Sequence, residues 1–205
     1  DWQTIDFSGT YENAVVFALA PSLNEDEAVV TRLRNIDEDS AEIRLQETKL
    51  LLGERQTGAH VEETVSILVL EQGTHVLSDG TQIEVGIERT NLLYGAGNFE
   101  EVFFTEDFAE GPAIFSQVQT YYGSDFVLSR VWESSEYGFN LVLQEEQADN
   151  IAHYAEQVGW LAIERGAGGS SDQGFGGIDW LAGSSAVNVN QNLRLQTFAD
   201  PFEDD

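Results

Sequence analysis

The chain has 205 residues, with 37 acidic against 9 basic, a formal net charge of −28, and neither cysteine nor methionine. That charge repels nucleic-acid phosphates and anionic membrane surfaces, so no nucleic-acid partner is expected. The missing thiols exclude a disulfide framework, a cysteine nucleophile and a thiolate metal site.

At 41% hydrophobic and 11% aromatic the sequence is rich enough for packed cores and too apolar for a disordered tail. No apolar run reaches membrane-spanning length, so no membrane insertion is expected. In chain order, Phe7 to Tyr11 reads as an opening strand. It is followed by strands at Ala14–Leu19, Val29–Leu33, Glu42–Glu47 and Val61–Leu70, each rich in β-branched residues with partial alternation. Turn residues separate them at Asn24-Glu-Asp, Asp37-Glu-Asp-Ser and Ser78-Asp-Gly80. A second series follows: an opening segment Phe104 to Phe108, then Ala113–Val118, Phe126–Trp132, Phe139–Glu145 and His153–Ile163. No segment carries a helical stripe with caps. The chain is therefore predicted to be all-β, as two tandem antiparallel β-sandwich domains.

The second series repeats the first. Phe17 falls on Phe115, Arg32 on Arg130, and Leu45-Gln46-Glu47 on Leu143-Gln144-Glu145 without a gap. After a hairpin of unequal length, His60 to Glu71 aligns with His153 to Glu164. A tandem unit of this kind presents any site twice. The predicted division is residues 1–95, residues 96–177 and a glycine-flanked segment 178–205, with Gly95-Ala-Gly97 as linker. Phe198-Ala-Asp-Pro-Phe202 echoes the two opening segments and reads as the first strand of a further repeat, a candidate for assembly by strand donation.

Alternation on the last strand of each copy puts Glu63 and Glu156 on the same face as apolar residues. A hairpin would bring Glu47 beside Glu63 and Glu145 beside Glu156. Two adjacent carboxylates need a compensating charge or a shared proton. Three readings arise: an Arg–Glu cluster at the end of each core, using Arg32 and Arg130, which is preferred; a pair of ligands for calcium, the one cofactor admitted; and, last, a catalytic carboxylate pair. The His-x-x-Glu spacing at His60 and His153 is no zincin motif, because positions three apart on a strand face opposite ways. These histidines are expected to bond a carboxylate or backbone, with ligand contact as the alternative. Tyr121, Tyr122, Trp132 and Tyr154 lie at strand ends or loops of the second copy only, and are candidate sugar-stacking or interface rings.

The ordered elements, namely the Phe-x-x-x-aromatic opening, Val15-Val16-Phe17 or Ala113-Ile114-Phe115, the Arg32/Arg130 strand, the Leu-Gln-Glu strand and the His-x-x-Glu-x-Val strand, resemble tandem H-type lectin-like domains of large bacterial extracellular proteins. The resemblance covers most of residues 5–71 and 102–164, and implies a small antiparallel sandwich, sugar binding and frequent trimeric assembly. The expected function is thus non-enzymatic: a secreted, extracellular adhesion or carbohydrate-binding protein whose partners are glycans or cell-surface polysaccharide. The alternative is a structural subunit that self-associates head to tail into a fibre or matrix. The absence of an initiating Met at Asp1 suits removal of an upstream region, and the strong acidity suits a saline medium.

Overall fold

The computed structural model describes residues 1–19, 22–24, 29–47, 50–51, 54–55, 60–95, 97–146, 152–168 and 180–183. The chain is all-β, and among these residues there is no helix. The strands of the first part are β1 (Gln3–Asp6), β2 (Ala14–Leu19), β3 (Val29–Arg34), β4 (Ser40–Glu47), β5 (Leu50–Leu51), β6 (Glu54–Arg55), β7 (Ser66–Glu71), β8 (Gly73–Val76) and β9 (Gln82–Thr90). Then come β10 (Glu100–Phe103), β11 (Ala113–Val118), β12 (Val127–Trp132), β13 (Gly138–Glu145), β14 (Glu156–Ile163), β15 (Gly166–Gly168) and β16 (Trp180–Ala182).

Among the described residues all the strand ladders are antiparallel, and each copy contains a three-stranded sheet of the same order, β1-β4-β3 and β10-β13-β12. Against the first lies β2-β7, and the two sheets enclose Val16, Ala18, Leu33, Ala41 and Ile43. Against the second lies β11-β14-β9-β8, and Val102, Phe139, Leu141, Leu143, Val158 and Trp160 fill the space between. Alternation explains the split. Val16 and Ala18 point into the first core, whereas Val15 and Phe17 on the opposite face of β2 pack with Ile83, Val85 and Leu161. This third cluster joins the copies.

Two sequence expectations need correction. The segments Phe7–Tyr11 and Phe104–Phe108 are not strands but loops that follow β1 and β10. Ring centroids are 5.9 Å apart for Phe7 and Tyr11 and 4.8 Å for Phe104 and Phe108. Four steps of extended strand would separate them by roughly 13 Å. Each segment instead clasps the facing hairpin: Phe7 and Tyr11 donate backbone N–H to Asp39 and Glu38, and Phe104 and Phe108 to Tyr137 and Glu136. The second correction concerns the last strand of each copy. β7 begins at Ser66 and β14 at Glu156, so neither histidine lies on a strand.

β9, a strand not expected from the sequence and lying within the predicted unit 1–95, pairs with β14 from Ile83↔Ile163 to Thr90↔Glu156. Directly opposite Trp160 stands Gly86, where an added Cβ would lie 2.3 Å from the indole. Only glycine leaves room for that ring. The hairpins β3–β4 and β12–β13 also match in detail. Asn35 (φ 47°) and Glu133 (φ 54°) occupy the same repeat position in left-handed backbone. Asn35 bonds Glu42, while Glu133 accepts from Asn140 at 2.7 Å, so amide and carboxylate have exchanged places between copies.

Candidate functional site

The histidines and glutamates singled out by sequence converge on one motif, built twice. Glu145 ends β13, Glu156 opens β14, and His153 lies in the loop before it. His153 Nδ1 is 2.6 Å from Glu145 and Nε2 is 3.1 Å from Glu156. Glu156 also accepts from Thr120 Oγ1 at 2.5 Å, Tyr122 N at 3.0 Å and Gly123 N at 2.9 Å. A Cβ on Gly123 would lie 2.5 Å from the imidazole, so glycine there admits the ring. In the first copy His60 lies 3.0 Å from Glu47 and 3.3 Å from Glu63. Glu63 accepts from Ser22 Oγ at 2.5 Å and Asn24 N at 2.9 Å, as Glu156 does from Thr120 and Tyr122. The carboxylate pairs are thus bridged by imidazole in both copies.

The compensating arginine comes from an unexpected side. Arg32 does not serve Glu47 and Glu63 in its own copy; it reaches Glu156 of the other copy at 3.4 Å, with both side chains fully shielded. The reason is positional: the β3 edge faces the loop after β11, and Arg32 also donates to the carbonyls of Asp125 at 2.8 Å and Gly123 at 3.4 Å. Gln46 holds it from its own copy at 2.6 Å. Its counterpart Arg130 keeps the equivalent bond to Gln144, at 2.7 Å, but is exposed.

Electrostatics follow from this enclosure. Burial lowers the Arg32 pKa to about 10, against the opposing pull of Glu156. Burial would raise Glu156, yet the bonds from His153, Thr120, Gly123 and Tyr122 outweigh it and hold its pKa at about 2. Burial would likewise lower His153, but its bonds to Glu156 and Glu145 raise it above its ordinary value. With His153 protonated, Arg32, Glu156, His153 and Glu145 form a neutral chain of alternating sign. Asp125, Glu145 and His153 offer donor atoms within 4.8 Å of one another and are the residues that could hold a metal. Both imidazole nitrogens already face carboxylates, so an ion there must displace the His153–Glu145 bond.

The aromatic candidates divide. Tyr121 is an interior member of a stack, with Arg32 and Arg44 at 4.7 and 4.4 Å from its ring, Trp2 edge-on at 5.2 Å, and its hydroxyl accepting from Arg44 at 2.6 Å. Trp132 packs edge-on with Phe99 at 5.5 Å. Tyr122 and Tyr154 are 60% and 73% exposed, and are the two rings of the four presented to solvent. Phe198 and Phe202 lie outside the described residues. An open cleft of about 340 Å³ between the copies is lined by Ala18, Val29, Thr31, Gln117, Ser129 and neighbours, with no aromatic or charged side chain among the described residues.

Sequence reasoning missed Trp2, Arg44, Thr120 and Gly123. It also missed Gln119, whose amide accepts from Val16 N at 2.8 Å and donates to Val16 O at 2.8 Å like an added peptide. One signal was available: Ser22 and Thr120 are hydroxyls at the same repeat position.

No protein-family model matches the chain. No solved structure matches it. Among curated proteins it is similar to halomucin of Haloquadratum walsbyi (strain DSM 16790 / HBSQ001), 29% identical over 212 residues. That alignment takes in 98% of this chain, and the chain spans only 2% of halomucin's length.

Proposed function

We propose that this chain is a structural element of an extracellular protein suited to a saline medium, a pair of non-catalytic β repeats fused through a buried ionic junction. The observation that carries the reading is the Arg32–Glu156–His153–Glu145 chain. Its carboxylates, imidazole and guanidinium bond one another, with Arg32 Nε and Glu145 Oε2 left buried without a partner among the described residues, and the Arg32–Glu156 contact ties one repeat to the next. The net charge of −28 supports the same setting, since concentrated salt collapses the Debye length to a few ångströms and relieves the self-repulsion. Similarity to a far longer protein whose name joins salt with mucin also supports it. Antibodies against the chain, applied to intact source cells, culture medium and lysate, test the placement. Label on the cell exterior or in the medium is expected; label confined to the lysate overturns it.

A second reading, carbohydrate binding, is favoured by the exposed rings of Tyr122 and Tyr154 and by the resemblance to H-type lectin-like domains. A glycan array with and without calcium tests it. The reading expects hits that weaken in Tyr122→Ala and Tyr154→Ala, and a blank array removes it.

A further inference from the structure

β7 and β14 occupy the same repeat position but have different surroundings. β14 is paired on both edges, with β11 on one side and β9 on the other. β7 is paired with β2 alone among the described residues. Exposure follows the pairing. Trp160 and Leu161 on β14 are 5% and 4% exposed, while their counterparts Ile67 and Leu68 on β7 are 39% and 46% exposed. An open, apolar strand edge of this kind is a template for another strand.

What fills the edge of β14 identifies what would fill the edge of β7. The filler is the hairpin β8–β9, which leaves β7 through Gly73 (φ 134°) and crosses to the next copy. The hairpin recurs as β15–β16, leaving β14 through Gly166 (φ 142°), with Gly166↔Ala182 in the place of Gly73↔Val85. Accompanying contacts run the same way. Phe17, 9% exposed, packs with Leu161 of the following copy, whereas its counterpart Phe115 is 52% exposed. Arg32 is buried on Glu156, whereas Arg130 is exposed. The junction is not returned by the second copy, so it is heterologous and leaves an unused half on each repeat.

We propose that a second copy of this chain docks its β15–β16 hairpin on the open edge of β7, reproducing head to tail the junction that joins the two repeats. Main-chain hydrogen bonds to β7 supply affinity, and Phe115 of the incoming copy packs on Leu68 as Phe17 packs on Leu161. The partner is another repeat of the same kind, which rests on the structural reading above. Repulsion between acidic chains makes the contact depend on salt.

Sedimentation of the full chain at molar salt tests this. The weight-average mass is expected to rise with concentration past that of a dimer, and to fall back on dilution into low salt. Two variants each block one half: Ile67→Lys with Leu68→Lys on the edge, and Leu181→Pro on the hairpin. Each alone should remain monomeric, and their mixture should stop at a heterodimer, since one supplies the hairpin and the other the edge. Hydrogen exchange on the unaltered chain is a readout independent of variant folding, in which the amides of Ser66–Glu71 should gain protection as concentration rises. Assembly of the blocked variants like the parent overturns the proposal. So does a monomer at all concentrations, whether β7 exchanges freely or is covered by the chain's own hairpin. A monomer found outside the cell would sink the docking and leave the extracellular reading standing.

Discussion

Arg32 and Glu156 lie 3.4 Å apart with no solvent exposure of either side chain, and they belong to different copies of the repeat. In a chain with 9 basic residues, one cation is committed wholly to the junction. Removing one partner of such a pair leaves an uncompensated buried charge, which costs more than the pair itself contributes. Arg32→Ala is therefore expected to destabilise the chain by about 3–5 kcal/mol. Arg130→Ala, at the same repeat position but exposed, should change stability by no more than about 0.5 kcal/mol. Denaturant titration at molar salt compares them, and equal losses contradict the assignment.

The His153–Glu156 pair sets a pH window. Glu156, held at about 2 against an ordinary 4.5, contributes stability that is present above 4.5 and lost as pH falls through about 2. His153 is raised above 6.5, so its contribution is complete below 6.5 and is lost as pH rises through the folded value. Stability from this cluster should be greatest between 4.5 and 6.5 and decline on both sides. Chemical denaturation across pH at fixed high salt checks it. In His153→Gln the loss on the alkaline side should vanish, and a parent curve rising from neutral to alkaline pH would contradict the account.

The exchanged pair at the hairpins predicts a non-additive result. Asn140→Glu alone sets a carboxylate against Glu133 and should cost about 1 kcal/mol. Adding Glu133→Asn recreates the Asn35–Glu42 arrangement of the other copy and places asparagine, which tolerates left-handed backbone, at that φ. The double variant should recover the loss, with a coupling of about 0.5 kcal/mol or more in a double-mutant cycle. Additive losses would show that the two hairpins differ in more than this swap.

Strand content was legible where alternation is strong. β2 and β11 begin and end where the sequence places them; β2 is an unbroken apolar run because both of its faces meet cores. Glu47 and Glu63, and Glu145 and Glu156, do converge as expected, but not across a hairpin: β4 and β7, like β13 and β14, lie in different sheets, and the carboxylates meet through an imidazole. That each histidine bonds a carboxylate was expected and is observed; that it bridges both was not, since residues three apart meet only because His60 and His153 lie in loops ahead of β7 and β14. The Phe-x-x-x-aromatic segments failed for a related reason: a loop brings together rings that an extended strand would hold apart. β9 was missed although Ile83, Val85 and Ile87 alternate with Gln82, Glu84, Gly86 and Glu88; the inward side of Glu84, whose carboxylate accepts from Thr105, shows only in the structure. Nothing local could disclose that β9 pairs with the other copy, or that Arg32 crosses to Glu156, because both are properties of the junction.

The two repeats share one buried junction and should behave as one body. Scanning calorimetry at molar salt distinguishes one body from two. A single transition is expected, with calorimetric and van't Hoff enthalpies in agreement. Two resolved transitions, one for each repeat, would contradict it.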